Sequence, residues 1–194
     1  RECREALMDK ELDLKYLDEK DQELFKLLSS KDQRGEISNE ELIELAFLYE
    51  FMHVEEISFQ IYERLLKKDP TNSWALFWYS YFLLIYRPPA QYEEKEKVFK
   101  FVEHLVNQTG EISGIGYYIK DFYLSSRIPL VESSVEEVYS MCQSIYLCPN
   151  WSSNYSNLAH KLEAQGVLNE ALKLFEKAQN NITLTIDQNW GPSQ

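Results

Sequence analysis

The chain has 194 residues, of which 44% are hydrophobic and 27% are charged, enough for one domain with a substantial core. The net charge of −12 argues against a nucleic-acid partner, because phosphate binding needs a basic surface. No apolar run reaches the length of a membrane span. Residues 1–69 carry 11 basic and 19 acidic side chains, an excess that either steers a basic partner or only keeps helix surfaces solvated.

The first 37 residues indicate a leading helix and a polar connector. Residues 2–29 have leucines at helical spacing among acids and lysines, and they form either one long helix or two helices broken near Asp18. Residues 29–37 are polar and are predicted to be a loop. Because the chain begins at Arg1 and not at methionine, we expect a processed form or a piece of a longer protein.

Residues 38–70 show two amphipathic helices joined by a short turn. Leu42, Leu45, Ala46 and Tyr49 form one apolar stripe, and a second stripe follows after the turn. Ser38, with Glu41 three residues later, predicts a capping box at the start of the first helix. Pro70 cannot continue a helix, so the unit ends there.

Two further units are less regular. In residues 72–107 the first helix, from Trp74 to about Tyr86, is apolar almost all round, which is typical of a helix packed between neighbours. Residues 110–149 begin with three glycines in seven residues, and this unit is the least regular of the chain. Its second helix is predicted to begin with a capping box from Ser134 to Glu137 and to end at Pro149.

The last unit, residues 152–185, repeats the internal register of residues 38–70. Tyr155, Leu158, Ala159 and Leu162 occupy the positions of the first stripe, and small residues recur where two helices of a hairpin meet. Both units resemble the tetratricopeptide repeat, a helical hairpin with a period of about 34 residues. The resemblance implies an all-α fold: a right-handed superhelical solenoid of antiparallel helix pairs with eight or nine helices. It makes residues 1–194 one domain with a tail at 186–194.

Residues that could carry chemistry are scattered. His53, His104 and His160 lie on different hairpins and share no helix face with another histidine or a cysteine, so no metal site is predicted. No nucleophile elbow or phosphate-binding loop is found. We therefore predict a protein that is not an enzyme and that has no cofactor.

The cysteines and sequons give opposite indications of location. Cys3, Cys142 and Cys148 are an odd number without a C-x-x-C pair, which favours free thiols and a cytoplasmic protein. Four N-x-S/T sequons leave a secreted protein open; they lie at Asn107, Asn150, Asn154 and Asn181.

The resemblance also implies a binding surface, because the first helix of each hairpin lines a concave groove in that family. Projected onto this chain, the groove residues are Glu40, Ile43, Phe47, Glu50, Trp74, Phe77, Tyr81, Ser156 and His160. The aromatic stripe from Trp74 to Tyr81 is typical either of binding anchors or of a buried core.

The predicted function is a non-catalytic scaffold that binds a partner protein or peptide, preferably a basic amphipathic segment. No nucleic-acid or membrane partner is expected. One alternative is a regulatory or spacer segment of a larger multidomain protein, in which the groove holds another domain of the same chain. A second alternative is a secreted, glycosylated helical protein.

Overall fold

The computed structural model describes residues 14–85, 92–125 and 135–181. In these ranges the chain forms a short 3-10 turn at Leu14–Tyr16 and nine α-helices, and no strand. The all-α prediction and the expected helix count are confirmed. The helices are α1 Glu19–Arg34, α2 Asn39–Phe51, α3 Glu55–Lys68, α4 Ser73–Ile85, α5 Tyr92–Val106, α6 Gly110–Ser125, α7 Val135–Leu147, α8 Ser152–Ala164 and α9 Leu168–Asn180.

The described residues divide into two compact units, one ending at Lys68 and the other starting at Asp69. In the first unit, α1 packs on α2 and α2 packs on α3. In the second unit each helix from α4 to α9 packs on the next, and α4 also packs on α6. Within each unit, helices that follow one another along the chain are therefore paired, as predicted for helical hairpins. That residues 1–194 form one domain stays a prediction.

The leading helix is longer at its C-terminal end than the sequence indicated. Asp18 is its N-cap, because its carboxylate accepts a hydrogen bond from Asp21 N at 2.8 Å. The predicted connector at 29–37 is wrong in its first part, since α1 continues to Arg34 and ends at Gly35, whose φ of 71° suits glycine. The N-terminal residues 1–13 of the predicted helix lie outside the described residues.

Two of the polar residues taken for a loop instead contact the neighbouring helices from the last turns of α1. Lys31 forms an ion pair with Glu41 of α2. Asp32 accepts a hydrogen bond from Arg64 Nη2 of α3 at 3.0 Å. Side chains that pair with neighbouring helices can be as polar as those of a connector, so composition alone did not distinguish the two.

The hairpin α2–α3 has the predicted caps and register. Glu41 N donates to Ser38 Oγ at 3.2 Å and Ser38 N donates to Glu41 Oε2 at 3.0 Å, which confirms the capping box. The helices meet at Ser58, which is fully buried and donates to Ala46 O at 2.8 Å.

The third hairpin, α6–α7, is regular despite its glycines. Gly114 and Gly116 lie inside a continuous helix, and each faces a close neighbour. A Cβ on Gly114 would lie 2.3 Å from Cys148 Sγ, and one on Gly116 would lie 2.5 Å from Val106 N. The glycines therefore mark close helix packing. Ser134 of the predicted capping box lies outside the described residues.

The last hairpin, α8–α9, also has small residues at its contact. Ala159 and Ala171 are buried, and Gly166 in the turn has a φ of 78°.

One of the sequon residues, Asn154, is fully buried, and its amide nitrogen donates to Cys148 O at 3.4 Å. A glycan cannot occupy this position in the folded chain.

Among the described helices, none has both the length and the apolar character needed to cross a membrane.

Candidate protein-binding surfaces

The predicted groove residues of α2 lie on different sides of that helix. Glu40 is exposed and Phe47 is half-buried. Ile43 has only 3% of its surface exposed and belongs to the core of the first unit. Ile43 therefore presents almost no surface to a partner.

Glu50 has a structural partner inside the hairpin. The hydroxyl of Tyr62 donates to Glu50 Oε1 at 3.0 Å, and Tyr62 is fully buried. Burial, followed by the nearby carboxylate, raises the pKa of Tyr62 well above its usual value. The half-buried Glu50 thus accepts a hydrogen bond from a buried hydroxyl group inside the hairpin.

Acidic side chains surround the start of α2. Hydrogen bonds from Lys31 and from the Ser38 backbone lower the pKa of Glu41. Partial burial, followed by the charges of Glu41 and Asp21, raises the pKa of Glu44. Burial is thus the main cause of the higher proton affinity of Glu44, and the neighbouring carboxylates add to it.

The aromatic stripe of α4 is largely core. Phe77 is 0% exposed, and its ring contacts those of Trp74 at 6.4 Å and Tyr81 at 6.0 Å. Trp74 and Tyr81 are half-buried. Of the two interpretations left open by the sequence, burial supports core for Phe77, and only Trp74 and Tyr81 retain surface that a partner could contact.

Sequence reasoning missed the partners of that stripe on α6. Tyr118 lies 6.3 Å from Phe77, and Phe122 lies 5.8 Å from Tyr81, between ring centroids. Trp151, before α8, contacts Tyr118 at 6.3 Å. The rings join the first helices of successive hairpins in the second unit. The available signal was the aromatic content of residues 117–123, which the glycine-rich start of the helix obscured.

The last two predicted groove residues lie together on α8. Ser156 is half-buried and His160 is exposed. The His160 ring packs edge-on against Phe175 of α9 at 4.9 Å, and its Nδ1 lies 3.4 Å from Glu163 Oε2. The α4 and α8 sets belong to the second unit and the α2 set to the first, so each is a separate candidate surface.

A buried ionic cluster joins α6, α7 and α8. Lys161 Nζ lies 3.1 Å from Asp121 Oδ1 and 3.4 Å from Glu137 Oε2, and it donates to Ser125 Oγ at 3.2 Å. Burial raises the pKa of Asp121 to about 6, against the opposing effect of Lys161. One ammonium group thus faces two buried carboxylates, an arrangement that ties three helices together and was not predicted.

The thiols do not suggest catalysis. Burial, followed by Glu111, raises the pKa of Cys148 to about 12. Partial burial also raises the pKa of the exposed Cys142, so neither is activated as a thiolate. In the described ranges no group of three or more His, Cys, Asp or Glu residues could hold a metal ion. Cys3 lies outside those ranges.

Comparison with known proteins gives structural matches alone. No protein-family model matches the chain, and no curated protein matches it. A crystal structure of MamA matches with a TM-score of 0.53 and 14% identity, over 81% of this chain and 86% of that one. "MamA 41-end from Desulfovibrio magneticus RS-1" matches with a TM-score of 0.52 and 12% identity, over 86% and 97%.

A further crystal structure of MamA matches with a TM-score of 0.51 and 14% identity, over 83% of this chain and 91% of the other. MamA is a tetratricopeptide-repeat protein. At such low identities the likeness concerns the fold only. Together with the paired helices and the repeated small-residue contacts, it shows that this chain has a tetratricopeptide-like fold of helical hairpins.

Proposed function

We propose that the protein is a non-catalytic interaction scaffold and that α2 binds a basic amphipathic segment of a partner protein. The observation that carries the proposal is the outward stripe of α2. Glu40, Glu44, Phe47 and Phe51 follow one another at spacings of four, three and four residues, and all four retain exposed surface. This spacing places them on one helix face, opposite the buried Leu42 and Leu45.

The stripe combines charge and apolar surface as a helix-binding face requires. Phe51 is 51% exposed, and removing such a ring from water contributes about 25 cal/mol per Å². Glu40 and Glu44 would attract lysine or arginine side chains and speed encounter, an effect that salt weakens. A ligand with apolar residues on one side and basic residues on the other fits this surface.

The two described cysteines support a reducing compartment, because Cys142 and Cys148 are both free. We propose a cytoplasmic protein on this ground. Mass spectrometry of the native protein tests it at the exposed sequons Asn107 and Asn150. A glycan at either residue would contradict the proposal and support the secreted alternative.

The binding experiment compares two synthetic helical peptides of equal length, one of leucine and lysine and one of leucine and glutamate. Calorimetry with the full chain should detect the basic peptide only, with affinity falling as salt is raised. Phe47→Ala should weaken binding by about tenfold, since truncating an anchor costs about 1–2 kcal/mol.

Phe99→Ala is the matched control, because Phe99 is a partly exposed ring on α5 in the other unit. It should leave the affinity unchanged. Equal binding of both peptides, or loss of binding in the Phe99 variant and not in the Phe47 variant, would show that α2 is not the site.

A further inference from the structure

A second stripe lies on α7, outside the residues that the sequence analysis assigned to the groove. Val135 is 88% exposed, Tyr139 is 54% exposed and Tyr146 is 79% exposed, and Cys142 between them is also exposed. At 3.6 residues per turn these four side chains fall within an arc of about 60°. They therefore form one continuous apolar face, here called the α7 stripe, about 16 Å long.

The opposite face of α7 explains why the stripe is not needed for folding. Glu137, Ser140, Met141 and Ser144 are the buried residues of this helix, and the helix packs on α6 and α8. Of the stripe residues, Tyr139 contacts α6, where its ring lies 6.3 Å from that of Tyr117 between centroids. A helix that packs well through small and polar residues, and still exposes two tyrosines and a valine in line, has apolar surface to spare for an interface.

The charge around the stripe indicates which kind of partner could bind there. The only charged residues of α7 are Glu136 and Glu137. Glu136 Oε1 lies 3.2 Å from Lys120 Nζ, and Glu137 Oε2 lies 3.4 Å from Lys161 Nζ. Because Glu137 is buried and Glu136 has a lysine partner, the exposed surface of this helix carries little unpaired charge, in a chain with a net charge of −12. A charged partner would gain nothing here, whereas two acidic copies could meet at this face with little repulsion.

The spacing of the stripe is symmetric about its centre. The order four, three, four reads the same in both directions, so two antiparallel copies bring Val135 opposite Tyr146 and Tyr139 opposite Cys142. This is the self-complementary pairing that a twofold axis requires, with the spacing of a coiled-coil seam. We infer that the α7 stripe is a self-association surface on which a second copy of this chain docks its own α7 in antiparallel orientation.

The contact is small. Four side chains on one helix cover less than the roughly 800 Å² per partner of a standard interface. The dimer should therefore exchange with the monomer, with a dissociation constant on the order of 10–100 µM. The fraction of dimer then depends on the local concentration of the chain, so the dimer forms mainly where many copies are held close together.

Sedimentation equilibrium of the full chain across this range of concentration measures the association. Tyr146→Glu should weaken it at least tenfold, because the carboxylate would be buried against the valine of the other copy. Leu172→Glu on α9 is the matched control, since Leu172 is a similarly exposed residue outside the stripe, and it should leave the association unchanged. Both variants should keep the melting temperature of the wild type.

A charge pair tests the register. Val135→Lys alone should also weaken the dimer at least tenfold. The double variant Val135→Lys with Tyr146→Glu should recover association to within a few fold of the wild type, because each introduced lysine meets the introduced glutamate of the other copy. The two positions are about 16 Å apart within one helix, so they cannot pair inside a copy.

Two results would overturn the inference. A wild-type chain that stays monomeric at about 1 mM would leave the stripe to a different protein. A double variant as weak as the two single changes combined would exclude the antiparallel pairing.

Discussion

The first hairpin, α2–α3, and the third hairpin, α6–α7, make the same contact in different ways. In each, a buried serine of the second helix donates to a backbone carbonyl of the first at 2.8 Å: Ser58 to Ala46 O, and Ser144 to Gly114 O. In the first hairpin the accepting residue is Ala46, which has a Cβ. In the third hairpin it is Gly114, which has none, and a Cβ there would lie only 2.3 Å from Cys148 Sγ.

The difference shows what a glycine inside a helix signifies. Glycine costs about 1 kcal/mol relative to alanine in a helix interior, so Gly114 and Gly116 weaken α6 taken alone. In the fold they allow closer approach of α7 and of the end of α5 than alanine would. Local propensity and tertiary packing therefore agree in the first hairpin and oppose each other in the third.

Gly116→Ala should have the largest effect. The obstacles to a Cβ are backbone atoms, Val106 N at 2.5 Å and Leu105 C at 2.6 Å, and these cannot move aside as a side chain can. We expect a loss of about 3 kcal/mol in the free energy of unfolding, measured in urea.

Gly166→Ala is its control. Gly166 has a φ of 78° and no atom within 4 Å of a Cβ, so only backbone strain of about 1 kcal/mol applies. If the two variants lost equal stability, close packing at Gly116 would not be the reason for its glycine.

The two hairpins should also respond differently to pH. Burial raises the pKa of Asp121 on α6 from 3.8 to about 6, so the folded chain holds this proton more tightly than the unfolded chain. Stability from this group is therefore present below pH 4 and is lost as the pH rises through about 6. In the first hairpin the fully buried titrating group is Tyr62, whose pKa is raised, so it stays neutral over this range; Glu44, whose pKa is also raised, is only half-buried.

Asp121→Asn removes the charge that burial disfavours. The difference in free energy of unfolding between the variant and the wild type should shift in favour of the variant by about 2–3 kcal/mol when the pH is raised from about 4 to about 7.5. A tenfold change in proton affinity corresponds to about 1.4 kcal/mol. Urea unfolding at the two pH values measures the change. A difference between the proteins that is constant with pH would mean that Asp121 titrates normally.

Gly114→Ala should cost less than Gly116→Ala, about 2 kcal/mol, because its main obstacle is the side chain of Cys148. Cys148→Ala in the same chain removes the sulfur, so the double variant should be more stable than the sum of the single effects predicts, by about 1–2 kcal/mol. Strict additivity in urea unfolding would place the obstacle elsewhere.

Features that depend on residues close together in the sequence were predicted, and features that depend on distant residues were not. The capping box at Ser38 and the apolar stripes are set by residues three or four apart, so the sequence sufficed for them. The last turns of α1 contact α3 through Asp32 and Arg64, which are 32 residues apart, and the local composition there indicated a loop. The burial of Phe77 depends on Tyr118 of α6, so periodicity in α4 could not choose between core and groove.

The smallest effect separates the two serines that make the matching contacts. Ser58→Ala removes one hydrogen bond to a helix carbonyl and leaves no buried side chain without a partner, so stability should change by only about 0.5 kcal/mol. Ser144 Oγ lies 2.8 Å from Gly114 O and also 3.1 Å from Asn154 Oδ1 of α8. Because Asn154 is fully buried, Ser144→Ala leaves Asn154 Oδ1 without the Ser144 hydroxyl group and should cost about 1–2 kcal/mol. Urea unfolding measures the loss in both variants. Equal losses would mean that each hydroxyl group stabilises only its own hairpin. A larger loss for Ser144→Ala would show that Ser144 links the third hairpin to the fourth.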